Sequence, residues 1–265
     1  MQTTTTNRLL EIKDLRKSFP IGGGGVVEIL RGINITVNKG EFGVIFGPSG
    51  CGKSTLLHCL LGLEQPTSGV VSMEGTSLYD ITEDQRSLYR RHKVSIIYQQ
   101  PLWISSLSVI DNVKFPLYLL DMTEEEIEIK AWEVLHQVGM DKWAQYVPTT
   151  LSSGQQQKIS LARALILDPL MIVADEPTGN LDTVSGQELI QTFLKLVDAG
   201  KTVVMVTHDL EYLRYGTKIF HMVDGEVVET YEPKSRASIV VGKKGGSGED
   251  TANVRDPKFL EKLHL

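Results

Sequence analysis

The sequence predicts an α/β protein: a mostly parallel, doubly wound sheet, an antiparallel β portion near the start and an inserted helical portion. Three observations carry this. The short apolar runs "EFGVIF", "KVSIIY", "LMIVAD" and "TVVMVT" are separated by helical stretches, the alternation that builds a parallel sheet. Two early segments, "LLEIKDLRKSF" and "VVEILRGINITV", alternate instead, as strands with one solvated face do. Residues 101–165 then turn helix-rich.

In chain order, the Thr-rich start is expected to be disordered and "PIGGGG" to be a loop, since four consecutive glycines do not suit a strand interior. "EFGVIF" is a short buried strand ending at a Gly-rich turn, and "KSTLLHCLLGL" after it is a helix. "SVIDNVKFPLYLL" and "TEEEIEIKAWEVLHQVGM" are helical. Thr123 with Glu126 forms a capping box, and Ile127, Ala131, Leu135 and Val138 line one face of the second. "KIFHMVDGEVVET" is a hairpin turned at Asp224-Gly225. Past Glu232 the composition shifts to Gly, Ser and charge, a linker. The terminal "PKFLEKLHL" suits one or two helical turns with Phe259, Leu260 and Leu263 on one side; it either packs on its own domain, frays, or meets a partner or membrane.

Composition narrows the class. With 41% hydrophobic and 23% charged residues the chain reads as soluble and globular. Its 27 basic against 33 acidic residues, net −6, argue against a nucleic-acid binder that works by neutralising phosphates. Cys51 and Cys59 lie too close together to staple a domain of this size and read as reduced thiols in a cytoplasmic protein. "MQTTTTNRLLEIK" has no apolar signal-peptide core, and no run is long enough to span a bilayer, so any membrane role is expected to pass through a separate membrane partner.

The chemistry concentrates in a few motifs. "GPSGCGKST", residues 47–55, follows an apolar strand, opens a helix and matches G-x-x-x-x-G-K-[ST] at every fixed position. Glycines let successive N–H groups point inward as an anion nest, and the helix N-terminus adds positive potential. Nucleotide is expected on Gly47, Ser49, Gly50, Cys51, Gly52, Lys53, Ser54 and Thr55, with Lys53 on the β- and γ-phosphates and the Ser54 hydroxyl on Mg2+. In "LMIVADEPTGNLD", Asp175 ends a buried strand, where it can hold Mg2+ through water, and Glu176 is placed to polarise an attacking water. His208 ends the strand "TVVMVT" at the same rim, where it could sense the γ-phosphate; a lone histidine is also often structural. A second small polar stretch, "LSSGQQQK" at 151–158, looks built for a ligand yet lies about a hundred residues from the first loop.

That stretch makes the pattern specific. Across roughly residues 8–231 the sequence resembles an ATP-binding cassette (ABC) ATPase. "LSSGQ" resembles the family signature LSGGQ, "IIYQQ" its glutamine loop with Gln99 in place, and "GNLD" the loop that crosses its dimer interface, with Asp182 as the acid. Phe19 falls where the family stacks an aromatic on adenine. "YVPTTLSSGQQQK" and "DEPTGNLD" are most similar to the lipoprotein-release, macrolide-exporter and antimicrobial-peptide-resistance branch, with its related cell-division cassette.

The resemblance implies a P-loop NTPase with a RecA-like sheet: a cassette at 7–232, a helical subdomain inserted at about 101–165, and an extension at 233–265. It implies ATP and Mg2+ as cofactors, with Ser54, Gln99 and Asp175 on the metal. Glu176 is the general base, and His208 and Gln99 position the γ-phosphate and water. It implies a head-to-tail pair with a second copy or a homologous cassette, in which Ser152, Ser153, Gly154 and Gln155 grip the partner's ATP. The distance between the two loops follows from that arrangement. It further implies an integral-membrane permease partner at the cytoplasmic face of the membrane. The alternative is a cell-division-type complex that signals without transporting; soluble cassettes of DNA repair or translation fit less well, lacking here their coiled coils, zinc cysteines or second cassette.

Three positions depart from the pattern: Ser153 stands for Gly, Lys158 for the commoner Arg, and Phe19 for Tyr. Ser153 is strained if the position needs positive φ and nearly free of cost if it needs only a small side chain. Leu102, Trp103 and Ile104 either line the family's cleft for a membrane-subunit helix or, for Trp103, pack into the helical subdomain.

Overall fold

The structure, a computed structural model, describes residues 7–233. The Thr-rich start, the linker and the terminal "PKFLEKLHL" lie outside the described residues.

The chain opens with β1 (Arg8–Ile21) and β2 (Gly25–Asn38), paired antiparallel. The expected loop is shorter than "PIGGGG". Pro20 and Ile21 pair with Val26 and Gly25, leaving a turn at residues 22–24 in which Gly23 and Gly24 take φ of 85° and 81°. β3 (Phe42–Phe46) is buried throughout, and α1 (Lys53–Leu60) follows. The helix ends before Leu63 because Gly62 takes a left-handed φ of 67°.

Three elements were not legible as such. β4 (Ser68–Met73) and β5 (Thr76–Ser77) complete a first sheet of order β2-β1-β4-β5. α2 (Glu83–Lys93) has no buried residue, so it carries no apolar period; its readable signal was the Thr82–Gln85 capping box.

β6 (Val94–Ile97) leads into the helical portion: α3 (Val109–Lys114), a 3-10 stretch at Phe115–Leu119, α4 (Glu124–Gln137) and α5 (Ser153–Leu165). Thr123 and Glu126 cap α4 reciprocally, and Ile127, Ala131, Leu135 and Val138 are buried. Lys114, itself buried, pairs with Glu128 and ties α3 to α4. Then come β7 (Met171–Asp175), α6 (Thr183–Asp198), β8 (Thr202–Thr207), β9 (Lys218–Val223) and β10 (Glu226–Tyr231). Asp224 and Gly225, at φ 46° and 83°, turn the last hairpin.

The second sheet runs β10-β9-β3-β8-β7-β6, with every pair parallel except β9–β10. One apolar core packs it against α3, α4, α5 and α6; another lies between the two sheets around α1. Because β3, β6, β7 and β8 run the same way, their carboxyl ends share one rim. Ligands of open α/β sheets bind at such a rim.

Candidate functional site

Four strand ends deliver the site. Gly47 follows β3, Gln99 lies just past β6, Asp175 and Glu176 close β7, and His208 follows β8. A cavity of about 560 Å³ at this rim is lined by Ser49, Gly50, Gly52, Lys53, Ser54 and Thr55 from the first loop. Gln99, Asp175, Glu176 and His208 face the same cavity, with Ile29 of β2 at its edge.

The first loop needs glycine at set positions. A Cβ on Gly47 would stand 2.0 Å from the Met222 carbonyl oxygen, and Gly50 and Gly52 take φ of 82° and 102°. Cys51 is buried beneath the loop, its thiol pushed up by burial; Cys59 is buried on α1 and pushed up to about 11 by burial. Both are free thiols kept protonated. Lys53 is 7% exposed, and its Nζ donates to the carbonyls of Gly47 and Pro48, each at 2.8 Å.

Opposite lie the carboxylates. Asp175 is pushed up by burial and then by neighbouring Glu176, against the pull of His58 and Lys53. Glu176 takes φ 47°, a left-handed conformation that costs a non-glycine residue of order 1 kcal/mol or more and clusters at functional sites. Its N–H donates to the Val206 carbonyl at 2.9 Å. Its Oε2 lies 2.7 Å from His208 Nδ1 and accepts the His208 backbone N–H at 3.3 Å. A carboxylate can only accept, so that ring contact needs the proton on Nδ1. A smaller polar cavity of about 190 Å³ shares Glu176 and His208 and is bordered by Asp209, Glu211 and Tyr212.

The other sequence candidates stand apart. Phe19 is half-buried and does not line the cavity; it pairs with Val27, two residues from Ile29. Lys17 lies 4.6 Å from its ring and is anchored by Glu64 and the Gln65 carbonyl. Ser152 caps α5: its Oγ accepts the Gln155 N–H at 3.3 Å while Gln155 Oε1 accepts the Ser152 N–H at 3.0 Å. Ser153 is the exposed first residue of α5 with ordinary backbone, which removes the strained alternative for this position.

Gly154 has a local reason to be glycine: a Cβ there would meet Ser185 Oγ at 2.7 Å. Ser185 in turn donates its N–H and Oγ–H to Asp182, the N-cap of α6, at 3.0 and 2.8 Å. Those bonds hold the Asp182 carboxyl below its usual range. Sequence reasoning missed Ser185; only its i+3 spacing from Asp182, a capping pattern, hinted at it. Lys158 pairs with Glu188 at 2.7 Å. Trp103 packs inward, its Nε1 donating to Gln156 Oε1 at 2.8 Å and Arg163 covering its ring at 4.6 Å, while Leu102 stays 69% exposed.

Residues 30–179 match the family model described as ABC transporter. An uncharacterised ABC transporter ATP-binding protein of Thermotoga maritima is 39% identical over 89% of this chain and 98% of its own length. The macrolide export ATP-binding/permease protein MacB of Escherichia coli is 36% identical over 88% of this chain, which spans only 36% of that longer protein. Among solved structures, the dimeric ATP-binding cassette MJ0796 of Methanocaldococcus jannaschii, bound to ADP and Pi, superposes with TM-score 0.78 at 36% identity over 84% of this chain and 98% of its own. The chain belongs to the ABC transporter family.

Proposed function

We propose that this ABC-family chain is the ATP-hydrolysing cassette of a transporter, working as half of a head-to-tail pair that drives an integral-membrane permease. The observation that carries the reading is one cavity holding the phosphate loop, Lys53, and a Glu176 carboxylate oriented by His208. The N–H groups of the loop and the end of α1 take the phosphates. Lys53 exchanges its two carbonyl contacts for phosphate oxygens. Glu176 accepts the proton of the attacking water, and His208 keeps that carboxylate aimed while Gln99 orients the water from the opposite strand end.

Ser54, Gln99 and Asp175 are hard oxygen donors facing the same cavity and suit Mg2+. Asp175 favours a cation there, since burial beside Glu176 disfavours its own charge. The ion would neutralise charge on the β- and γ-phosphates. Phe19 offers its ring to the base.

Ser152, Ser153, Gly154 and Gln155 face the second copy's ATP with the N-terminus of α5. Asp182 lies beside them through Ser185 and so reaches the same interface. The dimeric MJ0796 cassette supports this pairing. Among the described residues no helix is long and apolar enough to cross a membrane. Residues 7–232 serve as the cassette, with the helical insertion at about 101–165 and the exposed Leu102 turned to a permease subunit at the cytoplasmic face. The 233–265 segment is an extension of that cassette. Export or extraction of a lipoprotein, peptide or macrolide is favoured by the MacB relatives.

Glu176→Gln tests the reading. Turnover should fall by about 10²–10⁴, and ATP should trap the variant as a dimer in size-exclusion chromatography. Normal hydrolysis by that variant would remove Glu176 from the chemistry.

A further inference from the structure

Gln157 is a buried polar side chain with no part in that scheme. It sits in the second turn of α5, 2% exposed. Its Nε2 donates to the Tyr98 carbonyl and to the Pro177 carbonyl, each at 2.9 Å. Tyr98 immediately precedes Gln99, and Pro177 immediately follows Glu176. Its Oε1 is buried with no hydrogen-bond partner among the described residues. The amide cannot turn over to relieve this, because Oε1 would then face two carbonyl oxygens.

A buried acceptor left unpaired costs stability that an apolar side chain of the same length would not. The two donated bonds act on backbone rather than on side chains, and they act on two different loops at once. Those loops already touch: Gln99 Nε2 lies 2.7 Å from where a Cβ on Gly179 would stand, and the Gly179 N–H donates to the Glu176 carbonyl at 3.1 Å. Glu176 itself holds φ 47°, a conformation that persists only when its surroundings impose it. The Val206 carbonyl restrains Glu176 on one side, and the Gln157 amide restrains the next residue on the other.

We propose that Gln157 is a positioning residue for hydrolysis: its amide holds the Gln99 and Glu176 loops in register with each other and with the N-terminal turn of α5. A change in the tilt of α5, which Ser152 caps, is thereby felt at both loops. The proposal rests on Glu176 being the base.

The test uses the full chain carrying Gln157→Met, which keeps the length and apolar stem and loses both donors. Turnover should fall by about 10- to 100-fold, the effect of a small misplacement of reacting groups. KM for ATP, ADP affinity and melting temperature should stay near those of the parent, and the Glu176→Gln/Gln157→Met double variant should still dimerise with ATP. Unchanged turnover overturns the proposal. So does a turnover loss matched by equal losses of ADP affinity and melting temperature, which is what a merely structural role produces. If the methionine variant does not fold, Gln157→Asn replaces it: the amide remains but is one methylene short of spanning both carbonyls, and the same split is expected. Failure of both to fold also overturns the proposal. An inactive Glu176→Gln beside a fully active Gln157→Met sinks this proposal alone, whereas an active Glu176→Gln sinks the reading beneath it.

Discussion

The first polar loop, Gly47–Thr55, and the second, Leu151–Gln155, both end at a helix N-terminus, yet they are built in opposite ways. The first curls. Gly50 and Gly52 take positive φ, Gly47 has no room for a Cβ, Cys51 is buried, and Lys53 turns back onto its own loop. The second does not curl. Ser153 has ordinary helical backbone, and Ser152 and Gln155 satisfy each other's N–H groups as any well-capped helix does. Enclosing an anion from several sides demands glycine at set positions. Presenting the end of a helix demands only a cap and a small, uncrowded surface. The first loop therefore completes its concavity within this chain, and the second leaves an exposed, capped helix end.

Three substitutions test that contrast. The largest effect belongs to Gly47→Ala. Its Cβ would collide with backbone at Met222, so the loop must be displaced from β9. A loss of about 3 kcal/mol and of nucleotide binding should appear in thermal melts with and without ADP. A variant that melts like the parent and binds ADP would break the contrast at its stronger end.

Gly154→Ala comes next. Here the obstacle is a side chain, Ser185: its Oγ, at 2.7 Å, can rotate away if it gives up Asp182, while its Cβ, at 2.9 Å, needs a small shift of α6. The expected cost is about 1–2 kcal/mol. Because Ser185→Ala removes the same Oγ, the two changes should be non-additive by about 0.5 kcal/mol or more in a double-mutant cycle. Strict additivity would mean that the Ser185 hydroxyl does not set the need for glycine.

Ser153→Gly should do least, because the site asks for no special backbone. Stability should drop by about 0.5 kcal/mol through helix propensity, and ATP turnover should not rise. A clear gain in turnover would show that the serine crowds the partner's nucleotide and that the second loop is less permissive than its backbone indicates.

Legibility followed locality. The phosphate loop, its flanking strand and helix, and the acids ending β7 were readable because each is a short run whose chemistry needs those residues in that order. The capping box on α4 and the Asp224-Gly225 hairpin were readable for the same reason. β4, β5 and α2 were not read, since a two-residue strand and a helix with no fully buried residue carry little periodic signal. The glycine run misled in the other direction: Gly25 pairs as a strand residue because it lies opposite Ile21 at the very end of the ladder. For Trp103 the sequence left a permease cleft and the helical subdomain both open, and its contacts to Gln156 and Arg163 on α5 place it against the helical subdomain.

By itself the sequence determined that two small polar loops each open a helix, that one sits between a buried strand and its helix, and that acids end a neighbouring strand. Only the tertiary structure decided that His208 meets Glu176 across two strand ends, that Ser185 dictates the glycine at 154, and that Gln157 spans two loops. Local motifs are set by backbone demands within a few residues, which the residues themselves record. The pairings depend on which distant strands the packing brings side by side, and no spacing along the chain encodes that distance.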